Sequence, residues 1–139
     1  MIVKCFSVGI GAADLGNGAY RIDLSDGTSR PATAAEIKSA AMLYVTEQIK
    51  AERDRRKGAG CPVGAHIFHS DDTSRIQQLG LVMMGASLPP GIMWKTADNG
   101  FMEMTPPLAQ QIFAAQATRD TTLFAVAQQH IANATQAAD

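Results

Sequence analysis

At 139 residues the chain has room for one sizeable hydrophobic core and not for two independent ones. A formal net charge of −1 supplies no basic face for phosphate neutralisation, which argues against nucleic acid as a partner. The two cysteines, Cys5 and Cys61, are too few and too far apart for a disulfide framework and imply folding in a reducing cytoplasm.

Ile2, Phe6, Val8 and Ile10 alternate with other residues, and so do Tyr20, Ile22 and Leu24, which is the period of half-buried strands. Gly16-Asn17-Gly18 separates the two runs and Ser25-Asp26-Gly27-Thr28 ends the second with turn chemistry. Residues 1–32 therefore read as an antiparallel β-hairpin or meander that serves as an attachment segment, and 33–139 as an α+β domain. The glycines and serine of the first run interrupt it too often for a signal peptide, and no run reaches the length of a membrane span.

Thr33-Ala34-Ala35-Glu36 is a capping box that opens a helix with Ile37, Ala40, Ala41, Tyr44, Val45 and Ile49 on one face, ended by Gly58 and Gly60. The cations Arg53, Arg55, Arg56 and Lys57 close that helix, where its dipole favours them. Residues 62–69 read as one short strand, and Ser70, Asp71 and Asp72 as the cap and first-turn acids of a helix reaching Met84. Ile76, Leu79, Val82 and Met83 are its expected buried stripe. Ile92–Lys95 and Phe101–Met104 flank Ala97-Asp98-Asn99-Gly100, in which Asn99 and Gly100 are expected to supply the positive φ of a hairpin turn. Thr105-Pro106 starts a long last helix striped by Leu108, Ile112, Ala115, Leu123, Val126 and His130, bordered by Phe113, Phe124 and Ile131, with a candidate break at residues 118–121.

Cys61, His66, His69, Asp71 and Asp72 are the one cluster rich in metal-ligand types. On a strand His66 and His69 would point to opposite faces, and the two aspartates are explained as helix-start residues, so no metal, cofactor or catalytic set is assigned. Gly9-Ile10-Gly11 lacks the rest of a dinucleotide loop, because Asp14 stands where the third glycine belongs. Met83, Met84, Met93, Met102 and Met104 suit core filling and adaptable contact with a partner alike, while Trp94 reads as a core anchor. Charge is uneven: after Arg75 the chain carries only Lys95, Asp98, Glu103, Arg119, Asp120 and Asp139. A stretch so poor in charge and rich in Ala, Gln, Met and Leu is suited to a surface covered by another protein chain.

Three segments, 49–56, 68–75 and 94–101, followed by the Thr105-led helix, give residues 45–131 their resemblance to a domain of unassigned biochemical activity found in bacteriophage and prophage tail-fibre proteins. That resemblance implies a virion tail part made in the host cytoplasm, not an enzyme, with host attachment as a further role. Its partners would be itself, a trimer by precedent and by the glutamine-rich helices, and other tail-fibre or baseplate proteins, without membrane insertion. It gives Ser70, Asp71 and Arg75 the task of fixing the strand-to-helix corner, and Trp94 with Phe101 that of pinning the hairpin, turned at Asn99-Gly100, to the helices. A fibre-assembly chaperone and a metal-dependent hydrolase centred on His66, His69 and Asp71 are the rival expectations.

Overall fold

The computed structural model describes residues 12–14, 20–23 and 26–138. The expected strand at residues 2–10, Cys5, the Gly9–Gly11 stretch and the turn around Asn17 lie outside them. The architecture is mixed α+β: among the described residues small antiparallel sheets punctuate three α-helices, the last of which is the longest. The described residues fall into two compact units, one from those up to residue 50 and from 129 onward, the other from residues 51–128.

In the first unit β1 (Ala12–Asp14), β2 (Tyr20–Asp23) and β3 (Ser29–Pro31) form an antiparallel sheet in that order, with Ala12 opposite Ile22 and Ile22 opposite Arg30. Before β3, Asp26 Oδ1 accepts from the Thr28 amide at 2.9 Å and Gly27 takes a φ of 81°, the expected turn chemistry. α1 (Ala34–Gly58) begins with the expected capping box: the Glu36 amide donates to Thr33 Oγ1 and the Glu36 carboxylate accepts from the Thr33 amide at 2.9 Å. Arg30 adds a two-pronged pair to Glu36, and with these partners the Glu36 carboxyl is lowered to about 2. None of the 25 residues of α1 is buried; Tyr44 of its expected apolar face is exposed, as is Leu43 beside it.

The second unit holds a core of Phe68, Leu88, Met104, Ala109 and Ile112, with Trp94, Leu81, Val82 and Met102 packed against it. Residues 62–69 are not one strand. β4 (Cys61–Val63) and β5 (His66–Phe68) make a hairpin in which Val63 pairs with His66 across Gly64 and Ala65. Gly64 has a φ of 61° and Ala65 is not in the positive region, the pattern of a two-residue turn with glycine first.

α2 (Asp72–Met84) is capped as expected, Asp71 accepting from the Ser74 amide at 3.0 Å and from its hydroxyl at 2.7 Å. β6 (Met93–Lys95) and β7 (Phe101–Glu103) form the expected hairpin around residues 96–100. Asn99 has a φ of 64°, but Gly100 is not in the positive region. Its missing side chain serves another purpose, since a Cβ there would stand 2.9 Å from Thr96 Oγ1. α3 (Pro106–Ala137) starts at the Thr105 cap and runs unbroken through residues 118–121, where Thr121 and Thr122 hydroxyls fold back onto carbonyls four residues earlier. Among the described residues no helix is long and apolar enough to cross a membrane.

Candidate functional site

The C-terminus of a helix leaves carbonyls without partners inside the helix, and α1 ends with its own satisfied by side chains from α2, α3 and the corner between β5 and α2. The Lys57 carbonyl accepts from Ser70 Oγ at 2.6 Å and from Arg75 at 3.3 Å, and the Arg56 carbonyl from Arg119 at 3.1 Å. Ser70, 1% exposed, also accepts from the Gly60 amide at 2.8 Å, while its own carbonyl receives Arg75 Nε. Arg75 completes its fork on Asp120 of α3, at 2.7 and 3.0 Å. Ser70, Asp71 and Arg75 thus each make hydrogen bonds at the strand-to-helix corner, and those of Arg75 reach the last helix.

A second polar line runs beside the first. Gln78 of α2 donates to the His69 carbonyl at 2.9 Å, and Gln116 of α3 donates to the same carbonyl at 3.2 Å and to Gln78 Oε1 at 2.7 Å. Both glutamines are buried, so each bond is made where water offers no replacement. The sequence alone gives Gln78, Gln116 and Asp120 no role in this network. The available signal was phase, because Gln116 follows Ile112 by one helical turn on the inward row of α3.

These polar bonds set the rotation of α2. Arg75 and Gln78 point inward, with Leu81 and Val82 continuing their row, and this turns the expected buried stripe outward: Ile76 is 72%, Leu79 41% and Met83 79% exposed. Only Val82 of that stripe packs on the core. On α3 Ile112 is buried, but Phe113, Phe124, Val126 and His130 are exposed, Phe124 lying under the Arg53 guanidinium at 4.3 Å. The methionines divide, Met102 and Met104 inward, Met83, Met84 and Met93 outward.

Between α2 and α3, three of these outward residues, Ile76, Leu79 and Phe113, border a groove of about 300 Å³. Ile76, Leu79, Phe113 and Ala117 make its walls, and Arg75, Asp120 and Gln116, already bonded to one another's elements, make its floor. The groove is thus apolar in its walls and carries no uncommitted charge.

The other predicted residues lie elsewhere. Trp94 packs on the core as expected. Phe101 does not pin the hairpin to the helices, being 62% exposed, because β7 turns Met102 inward and alternate strand residues face opposite ways. The hairpin is held instead at its turn, where the Ala97 amide donates to the Ile67 carbonyl at 2.7 Å. Asp98 there lies 3.4 Å from His66 Nδ1, and its carboxyl is held below the usual range first by the Thr96 hydroxyl and then by the Ile67 amide. Cys61 is buried, and burial pushes its thiol up, away from the reactive thiolate. Asp71 is occupied by Ser74 and His69 is exposed; among the described residues no three metal-ligand side chains converge.

No curated protein and no solved structure matches the chain. The sequence profile of a family described as a domain of unknown function, DUF4376, matches residues 36–139 and so spans α1, the hairpins, the corner and the groove. The chain belongs to that DUF4376 family.

Proposed function

We propose that this protein is a structural component of a bacteriophage tail, in the tail-fibre or baseplate region, that works by self-association and by docking to other virion proteins. The observation that carries the reading is the outward-facing apolar row on α2, Ile76, Leu79 and Met83, continued by Phe113 and Phe124 on α3. Isolated exposed apolar residues are ordinary, but rows on adjacent helices in a segment so poor in charge are the makings of a protein–protein surface. The tail context rests on the resemblance carried by residues 49–56, 68–75 and 94–101. Three of those residues, Ser70, Asp71 and Arg75, act as scaffold in the fold, which suits a part whose work is to hold shape.

Mass spectrometry of purified virions tests the reading. The chain is expected in the finished particle at a fixed ratio to fibre or baseplate proteins. Its presence only in infected-cell lysate would replace the tail-part reading with that of an assembly chaperone.

A further inference from the structure

We infer that Asn99 is a site of spontaneous covalent modification, which loses its side-chain amide through a cyclic imide closed on the Gly100 nitrogen, and that opening of the β6–β7 turn admits the reaction. Asn99 is exposed, and among the described residues it is the asparagine followed by glycine. A glycine leaves the backbone nitrogen after the asparagine unshielded by any Cβ. The other described asparagine, Asn133, precedes Ala134 in the interior of α3, and its side-chain oxygen accepts from Gln129 at 2.9 Å.

The reaction balances with water alone. The Gly100 nitrogen attacks Asn99 Cγ and gives up its proton to solvent. The new C–N bond closes the imide, the old one breaks, and the side-chain nitrogen leaves as ammonia. Water then opens the imide at either carbonyl. One opening leaves an ordinary aspartate at this position. The other leaves an aspartate joined to Gly100 through its side-chain carboxyl, with a methylene added to the main chain.

In the closed turn the reacting atoms are held apart. A φ of 64° puts Asn99 in the left-handed region, whose ψ of about 45° places the Gly100 nitrogen on the far side of Cα from Cβ. Two bonds hold this geometry, the Thr96 amide donating to the Gly100 carbonyl at 2.9 Å and the Asn99 amide to the Thr96 carbonyl at 3.2 Å. Bringing the nitrogen round to Cγ turns the Gly100 peptide and breaks the first of them. Reaction therefore follows local opening, at the intrinsic rate scaled by the fraction of turns that are open.

The β-linked product prevents the turn from closing again. Gly100 is packed so closely that a Cβ on it would stand 2.9 Å from Thr96 Oγ1 and 3.4 Å from His66 Nδ1, and a methylene inserted just before it displaces it from that place. The same turn carries the Ala97 amide that joins the hairpin to the Ile67 carbonyl at 2.7 Å. A transient opening is thereby made permanent, and the hairpin is released from β5.

Peptide mapping by mass spectrometry tests this on the full chain, held in mildly alkaline buffer for increasing times with and without denaturing urea. Asn99 is expected to convert to both aspartyl products in the folded chain, about ten- to a hundredfold more slowly than in denaturing urea, and faster as sub-denaturing urea is added. In denaturing urea, where no fold is needed, Gly100→Ala is expected to slow the conversion. The Ala97 amide is expected to lose its exchange protection in the β-linked product. Overturning results are a folded rate within about tenfold of that in urea or indifferent to sub-denaturing urea, or an Asn99 still intact after about a hundred urea half-times. Ordinary aspartate without the β-linked product, a Gly100→Ala chain converting as fast as wild type in urea, or retained Ala97 protection would equally overturn it.

Discussion

Arg75 and Asp120, separated by 45 positions in the chain, meet in a two-pronged ion pair at 2.7 and 3.0 Å, and the same guanidinium also reaches the carbonyls of Ser70 and Lys57. One side chain thereby ties the end of α1, the start of α2 and the middle of α3. Both members are largely withdrawn from water, with side chains 18% and 22% exposed.

Removal of the carboxylate leaves that guanidinium without its charge partner. Asp120→Ala is expected to lower stability by about 2 kcal/mol, between the values for exposed and for fully buried pairs. Arg75→Lys should cost a similar amount, because an ammonium cannot serve the carboxylate fork and two carbonyls at once. Urea denaturation followed by circular dichroism measures both, and a midpoint unchanged in Asp120→Ala would show the pair to be incidental.

The glutamine line gives a separate test. Gln78→Ala removes a buried donor from the His69 carbonyl and an acceptor from Gln116, for an expected loss of roughly 1–3 kcal/mol. Because the two side chains share one network, the Gln78→Ala, Gln116→Ala double variant should lose less than the sum of the singles. Strict additivity in a double-mutant cycle would refute the coupling.

Glu36 ties the start of α1 to pH. Its carboxyl falls from an ordinary 4.5 to about 2 in the fold, first through Arg30 and then through Thr33. A depressed carboxyl contributes stability that is fully present above its unfolded value and is lost as pH falls through its folded value, so the loss runs from about pH 5 down to about pH 2. Protection of the Ala35, Glu36 and Ile37 amides, taken relative to their intrinsic exchange rates, should fall across that window in wild type, and Glu36→Gln should remove that fall. Protection that falls equally in Glu36→Gln would contradict this assignment.

At the β6–β7 turn the two residues of the Asn-Gly pair should respond differently. Gly100→Ala drives a Cβ to 2.9 Å from Thr96 Oγ1 and is expected to cost about 1–2 kcal/mol, as overpacking does. Asn99→Gly should be neutral or slightly stabilising, whereas Asn99→Val should cost about 1–2 kcal/mol because its φ is 64°. Thermal melts of the three variants check this order.

Trp94 and Phe101 separate core from surface on one hairpin. Trp94→Ala is expected to cost about 3 kcal/mol through lost packing against the core cluster. Phe101→Ser, at a site 62% exposed, should leave stability within about 0.5 kcal/mol. A large loss in Phe101→Ser would mean that the side chain is covered in the assembled protein.

The starts of the helices were legible because capping is local: Thr33 with Glu36, Asp71 with Ser74, and Thr105 before Pro106 each need only three or four neighbours to act. The hairpin at Asn99 was legible for the same reason. Residues 62–69 were misread because one glycine in an apolar run looks like an interruption until its φ is known. The facing of α2 was misread for a different cause. Periodicity ranks residues by polarity and takes the apolar row as the inner one, yet here Arg75 and Gln78 are drawn inward by carbonyls from distant segments. The corner residues were therefore visible in advance and the groove was not, since its walls exist only because of that rotation.

The dependence of α1's last turn on residues that come much later has a consequence for synthesis. When Lys57 leaves the ribosome its carbonyl has neither Ser70 nor Arg75 to receive, and the Arg56 carbonyl waits for Arg119. The end of this helix can lock only once more than half of the following chain has emerged, so its closure marks the completion of the unit rather than its beginning.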